Sequence, residues 1–410
     1  MARFWSKEAT LWGFALYGTA VGAGTLFLPI QLGSAGSLVL FLTALIAWPL
    51  TYWPHKALSQ FILAAPAREP GDGITNAVKY YYGKRVGNVI TFLYFIAFFV
   101  IILIYAVAIT NSLIEQISAH YPLSHLARIG LSLLVVVLLN LIFLMGRKTT
   151  IRVMGFLVFP ILAYFFFLSC YMVKDWHPEL LSLHGEFTTA SLHQIWLSLP
   201  VMVFAFSHTP IISTFTVAQR EAHGDEAISS CKHIMRWAYL VISLSVLFFV
   251  FSCYLSIPNA YIHEAKDKGL TILSALSMKP DSPAWLALSG IVVAIVAMSK
   301  SFLGTYFGVI EGATELTRTT LKQVGINRSH RFNRALSVLI VSLITFGVCS
   351  INPNALSMIY AISGPLIAMI LFIMPTLSTW LIKELKPYRS VGNFITLIVG
   401  ILCVSVMFIH

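Results

Sequence analysis

Long runs of apolar residues recur along the chain and are separated by short polar segments. A helix rises about 1.5 Å per residue, so roughly 20 apolar residues cross a hydrocarbon layer of about 30 Å. The runs do not alternate between apolar and polar positions, which argues against a membrane β-barrel. The pattern predicts an all-α integral membrane protein of about eleven transmembrane helices, near residues 9–32, 35–54, 88–117, 128–145, 151–173, 194–218, 234–257, 284–310, 333–350, 355–381 and 391–409. The longest predicted loops, 55–87 inside and 258–283 outside, are expected to form short surface helices.

The composition supports this fold class, because 58% of the residues are hydrophobic and only 10% are charged. Soluble domains carry about 25% charged residues, so lipid must surround most of this chain. With the N-terminus inside, 21 of the 27 Lys and Arg residues fall on the inner side and five on the outer side, and Lys300 lies within a span. This distribution follows the positive-inside rule. It explains the net charge of +11 without a nucleic-acid partner.

Two of the predicted spans contain residues that interrupt helices. The first carries three glycines and a proline within residues 18–29, and the sixth carries Pro200 and Pro210 on either side of the polar triplet 207–209. Close helix packing is one interpretation of the glycines, and an ordinary proline kink is one interpretation of the sixth span. The alternative is a pair of unwound helices, because the free N–H groups of a half-helix N-terminus can hold a carboxylate.

The breaks fall in spans one and six, which predicts two repeats of five spans within a single transmembrane transporter domain, 1–410. An odd number of spans places the second repeat in the opposite orientation to the first. The first repeat would cover about 9–173, the second about 194–381, and 391–409 would be an extra helix. Inverted repeats of this kind place a substrate site at the membrane midplane, between the two breaks.

Ionisable residues inside the spans suggest how such a site would work. Lys300 lies roughly 24 Å along the eighth span by helical rise, where a lysine costs about 2.5–3.5 kcal/mol to insert. It is either a structural lysine held by carbonyls or a group that takes up and releases protons. His208 is either a satisfied buried histidine or a second proton-handling group. Glu311 is expected to be a solvated acid at the inner mouth, and Tyr105 is predicted to face the site.

Four motifs make the chain resemble the bacterial hydroxy and aromatic amino acid permeases, most closely the serine/threonine–proton symporters. They are GTAVGAGTLFLP at 18–29, FSHTPIIS at 206–213, KSFLG at 300–304 and SGP at 363–365. The resemblance implies the amino-acid/polyamine carrier fold, and uptake of an amino acid with a proton through the bacterial inner membrane. It implies no cofactor beyond the proton gradient and no metal, and it leaves the oligomeric state open. Together with the residues singled out above, the predicted substrate-binding residues are Val21, Gly22, Ala23, Gly24, Thr25, Tyr105, Phe204, Phe206, Ser207 and His208, and the predicted proton-coupling residues are Lys300, Ser301 and Thr305.

Within this assignment, the substrate carboxylate would meet backbone groups at Ala23, Gly24 and Thr25. The substrate ammonium would meet carbonyl groups near Val21, Phe204 and Ser207. Three positions depart from the pattern of the serine carriers. They are Ser207, where asparagine is usual, Thr209, where serine is usual, and Thr305, where histidine is frequent.

The predicted function is a proton-coupled symporter that imports serine or threonine by alternating access. An aromatic amino acid permease of the same fold is the nearest alternative. A non-transporting sensor on a transporter scaffold is a different class, and the lack of a soluble domain argues against it. A membrane enzyme ranks last, because the spans hold no nucleophile elbow, zinc motif or acidic pair. A channel would need no alternating gates and would show steady conductance above carrier turnover.

Overall fold

A computed structural model shows a bundle of helices whose outward faces are apolar. It describes residues 7–33, 35–67, 71–118, 124–182, 188–267, 271–280, 282–353 and 362–408. In this part of the chain nine helices are long and apolar enough to cross a membrane, or ten if one bent pair counts as a single span. Large apolar side chains point away from the bundle, and the most exposed ones include Leu45, Leu126, Phe156, Ile351 and Val391. Such a surface is stable in lipid rather than in water.

The helices follow one another in the order that hydropathy predicts. They are α1 (Lys7–Ala20), α2 (Ala23–Gly33), α3 (Ser37–Leu63), α4 (Ile74–Ser118), α5 (His125–Leu144), α6 (Arg147–Met172), α7 (Thr189–Phe206), α8 (Thr209–His223), α9 (Ala227–Ser256), α10 (Asn259–Asp267), α11 (Ile272–Ser277), α12 (Ala284–Gln323), α13 (His330–Ile351), α14 (Gly364–Leu381) and α15 (Val391–Ser405). Within α14, Ala368–Ile373 is wound as a π-helix.

Both predicted breaks are present. The helix axis bends by 51° between Lys7–Ala20 and Gly24–Gly33, so the first span is α1 followed by α2. The sixth span is α7 followed by α8, with Ser207 in extended backbone between them. Pro210 lies in the first turn of α8, where a proline has no hydrogen bond to lose. The interpretation of the sixth span as a helix with an ordinary proline kink is therefore wrong, because the helix stops at Phe206 and a new one begins at Thr209.

In the loop 55–87, α3 continues to Leu63, beyond the predicted end of the second span at residue 54. Residues 74–82 form the short helix that is expected in this loop. The positive φ of 75° at Gly83 separates this helix from the rest of α4. In the loop 258–283 the expected short helices are present as α10 and α11. Residues 355–361 of the predicted tenth span lie outside the described residues, and the count of eleven spans and the inverted repeats stay predictions.

Helix α12 organises the centre of the bundle, because it packs against α1, α4, α6, α8 and α13. Helix α2 packs against α7, so the second half of the first broken span meets the first half of the second broken span. Lys300 projects from α12 into this centre and is fully buried. The two breaks and the buried lysine are therefore parts of one packed region.

Candidate functional site

The end of α1 is held by the buried lysine. The Nζ atom of Lys300 donates hydrogen bonds to the carbonyl oxygen of Val21 at 2.6 Å and to that of Gly18 at 3.2 Å. The last carbonyls of a helix have no partner within the helix, and a cation near them is favourable. The same Nζ lies 5.6 Å from the centre of the Tyr17 ring. When it is protonated, the Lys300 amine on α12 compensates the negative end of the first half-helix.

Ser301 supports the same two carbonyls. Its hydroxyl lies 3.1 Å from the Gly18 oxygen and 3.4 Å from the Val21 oxygen. A Cβ atom added at Gly22 would lie 2.8 Å from the Ser301 Cβ and 3.3 Å from the Tyr105 hydroxyl oxygen. Only a residue without a side chain fits there. The structure therefore brings Tyr105, from α4, to the bend between α1 and α2.

The two breaks meet at Gly24. A Cβ atom at this position would lie 2.7 Å from the Ala205 Cα and 3.2 Å from the Phe204 ring. The first N–H groups of α2, which begins at Ala23, have no carbonyl acceptor within their own helix. Backbone of the second break lies directly opposite them. The two segments leave no room for another group between them unless α2 and α7 separate.

The second break is stabilised by its own side chains. The hydroxyl groups of Ser207 and Thr209 lie 2.8 Å apart across it. The Nδ1 atom of His208 lies 3.2 Å from the carbonyl oxygen of Phe206 and is placed to donate to it. Two of the positions that depart from the serine-carrier pattern are thus hydrogen-bonded to each other.

His55, which the sequence analysis did not single out, completes this break. Its ring stacks on that of His208 with centres 3.9 Å apart and planes 7° apart. Its Nδ1 atom lies 2.6 Å from the carbonyl oxygen of Thr51, and its Nε2 accepts the backbone N–H of His208 at 3.2 Å. This pattern requires a neutral His55 with the proton on Nδ1. A histidine within an apolar helix was the only sequence signal for it.

Several buried polar atoms at or beside the breaks have no hydrogen-bond partner among the described residues. They include Thr25 Oγ1, His208 Nε2, Ser363 Oγ and the hydroxyl of Tyr239, whose ring centre lies 4.6 Å from that of His208. Ser363 precedes the Gly364–Ile367 segment, which packs against α4 and α7. Buried polar groups are nearly always satisfied, so unsatisfied ones mark places where a ligand or water is expected. Thr25 belongs to the predicted carboxylate site.

The sequence predicts that Glu311 is a solvated acid at the inner mouth. In the structure its carboxylate is instead hydrogen-bonded to another helix. Its Oε1 accepts a hydrogen bond from the Ser213 hydroxyl at 2.9 Å, and the Ser213 oxygen in turn accepts the backbone N–H of Ile74 at 2.9 Å. This chain of bonds joins α12, α8 and the first residue of α4. Thr305, on α12 between Lys300 and Glu311, is buried. One helix therefore carries contacts to both broken spans.

Comparisons with known proteins agree with this fold. The model of the Tryptophan/tyrosine permease family matches residues 7–410. The chain is 71% identical over 408 residues to the inner membrane transport protein YqeG of Escherichia coli K12, and the match covers 100% of both chains. It is 37% identical to the serine transporter SdaC of Escherichia coli K12, over 98% of this chain and 95% of that protein. A mutant manganese transporter of Eremococcus coleocola has a similar structure, with a TM-score of 0.61 at 13% identity over 98% of this chain and 85% of that one.

Proposed function

Because this chain belongs to the tryptophan/tyrosine permease family, we propose that it is a proton-coupled symporter that imports a small neutral hydroxy amino acid, serine or threonine. The observation that carries this proposal is the fully buried Lys300 ammonium on the last carbonyls of α1. A buried charge of this kind is expensive, and in membrane proteins such residues mark ion or proton pathways. The similarity to a serine transporter, SdaC, supports serine as the proposed substrate.

In the proposed mechanism, the substrate carboxylate binds the N–H groups at the start of α2, at Ala23, Gly24 and Thr25. A helix N-terminus is favourable for an anion, because its free N–H groups and its dipole both attract negative charge. The hydroxyl of Thr25, which lacks a partner among the described residues, adds a further donor. The substrate ammonium binds carbonyl groups at Val21, Phe204 and Ser207, and Tyr105, Phe206 and His208 line the site.

In this mechanism, proton coupling depends on the hydrogen bonds from Lys300 to the end of α1. When its side chain is protonated, it makes charge-assisted hydrogen bonds to Gly18 and Val21, which are stronger than neutral ones. Loss of the proton removes the charge that compensates the end of α1. The end of α1 is then free to move relative to α12, together with the substrate site beside it. Ser301 shares both carbonyls, and Thr305 lies further along α12 toward the proposed inner side.

The proposed orientation places the N-terminus inside a bacterial inner membrane. It rests on the distribution of Lys and Arg, 21 inside and five outside. In this orientation the contact of Glu311 with Ser213 lies on the inner side of the breaks and must open when substrate is released. Labelling of single cysteines in the 145–146 and 324–329 loops of intact cells tests the orientation. The proposal requires both loops to be protected from an impermeant reagent.

Uptake by purified protein in proteoliposomes tests the function. We expect labelled serine to accumulate when the outside is more acidic than the inside, and unlabelled threonine to compete. An aromatic substrate is the second candidate, because the family is described by tryptophan and tyrosine. Accumulation of tryptophan with no competition by serine would favour it. Binding of either amino acid without uptake would favour a sensor.

A further inference from the structure

A charged cavity of about 540 Å³ lies between the beginning of α4 and the end of α12, away from the substrate site. Four basic side chains line it together with two carboxylates. The basic residues are Lys79, Lys84, Arg318 and Lys322, and the acidic ones are Asp72 and Glu315. Positive charge is therefore in excess in a cavity large enough for a polar head group.

The positive charge of this cavity is only partly compensated. Glu315 forms ion pairs with both Lys79 and Arg318, the latter at 2.9 Å. Lys84 and Lys322 are exposed, and neither pairs with a carboxylate in the part of the chain that the structure describes. Two lysines that reach one cavity from different helices are placed to bind an anion between them, as lysines commonly do with phosphate.

The surface beside the cavity is apolar. Val86, Val89 and Phe92 follow Lys84 on α4 at three-residue spacing, and 51%, 59% and 51% of their surfaces are exposed. The kink at Gly83 separates this stretch from the preceding turns of α4, which carry Lys79 and Tyr80. A molecule with a phosphate at one end and acyl chains at the other would place its charge in the cavity and its chains along this stripe.

We propose that the cavity is a binding site for the phosphate of an anionic phospholipid. Basic pockets at the ends of membrane helices attract such head groups, at about 1 kcal/mol for each Lys or Arg near the surface. Lys84 and Lys322 bind the phosphate, while Glu315 holds Lys79 and Arg318 in place. Because the lipid contacts both α4 and α12, it joins two helices that are also connected through Ser213, which bonds to Ile74 and Glu311.

Lipid retention by the purified full-length chain tests this proposal. We expect native mass spectrometry to show bound phosphatidylglycerol in preference to phosphatidylcholine. The double variant Lys84→Gln/Lys322→Gln should bind phosphatidylglycerol roughly 30-fold more weakly, because two cations are lost. The matched control is Lys383→Gln/Lys386→Gln, which removes two exposed lysines outside the cavity and should bind the lipid as the unchanged protein does.

A second arm distinguishes the source of the phosphate. Glycerol 3-phosphate and inorganic phosphate are added at matched concentrations, and the thermal stability of the protein is compared with that in phosphatidylglycerol. The proposal expects stabilisation by the lipid alone. Equal stabilisation by the soluble phosphates would overturn the lipid as the source. Equal loss of lipid in both double variants would overturn the cavity as the site.

Discussion

The ammonium of Lys300 lies 2.6 Å from the carbonyl oxygen of Val21, across an interval of 279 residues. This contact joins α12 to the last turn of α1, at the point where the first span breaks. It combines two features that are individually unfavourable in a membrane, a buried amine that can carry charge and helix-end carbonyls that lack a partner within their own helix. The lysine and the carbonyls are hydrogen-bond partners of each other. A change in the charge of the lysine therefore changes how strongly α12 holds the break.

Substitution of Gly24 tests the contact between the two breaks. In Gly24→Ala the new Cβ would lie 2.7 Å from a backbone atom of Ala205, which cannot move without shifting α7. Relief of this overlap, which costs about 1–3 kcal/mol, shifts α2 and misplaces the N–H groups proposed to bind the carboxylate. Substrate affinity should therefore fall about tenfold or more. Equilibrium binding of labelled serine measures it. The control is Gly13→Ala in α1, where nothing lies within 4 Å of the new atom; equal affinity in both variants would refute the role of Gly24.

An experiment can distinguish His208 from Lys300 as the residue that couples transport to protons. We expect His208→Phe to keep a pH-gradient response, because the ring can still stack on His55 and Lys300 is unchanged. Initial uptake rates at a series of imposed gradients measure the response. If the response vanished while serine binding remained, His208 and not Lys300 would carry the coupling.

His55 is predicted to matter for stability more than its stacking partner does. In His55→Phe the buried N–H of His208 loses its acceptor, which costs about 1–3 kcal/mol. His208→Phe retains that backbone bond. The apparent melting temperature of the purified protein should therefore fall further for His55→Phe than for His208→Phe. The reverse order would show that the hydrogen bond at the break contributes little.

Ser213 and Glu311 are predicted to act as a unit. Ser213→Ala removes both the acceptor of the Ile74 N–H and the donor to Glu311. Contacting residues show interaction energies of about 0.5–3 kcal/mol in double-mutant cycles. The changes in stability for Ser213→Ala and Glu311→Gln should therefore not add. As a control, Ser169→Ala, whose hydroxyl bonds only within its own helix, should add to Glu311→Gln; additivity in both pairs would contradict a joint role.

The sequence was most informative where the signal is local. The glycines of residues 18–24 and the polar triplet 207–209 beside Pro210 predict breaks, and both breaks are present. Proline alone is a weaker signal, because Pro49, Pro54 and Pro160 lie within continuous helices. A lysine in mid-span is costly enough to predict a specific partner, although the pattern did not say which one. The carbonyls of Gly18 and Val21 became known only from the packing of α12 against α1.

Other features depend on contacts that no local pattern encodes. His55 lies 153 residues from His208, and Ser213 lies 98 residues from Glu311. The end of α3 was also missed, because hydropathy detects the part of a helix in lipid and not its polar extension into water. The predicted span ended at residue 54, yet Lys56 lies within α3.

The most direct test of the account is the accumulation of serine by Lys300→Met in proteoliposomes with an acidic exterior. The control is Lys383→Met, which removes an exposed lysine, and equilibrium binding shows that each variant is folded. The account predicts that the control concentrates serine, whereas Lys300→Met binds it but reaches only equal concentrations on the two sides. Accumulation by Lys300→Met that rises with the pH gradient as in the unchanged protein would contradict the central claim.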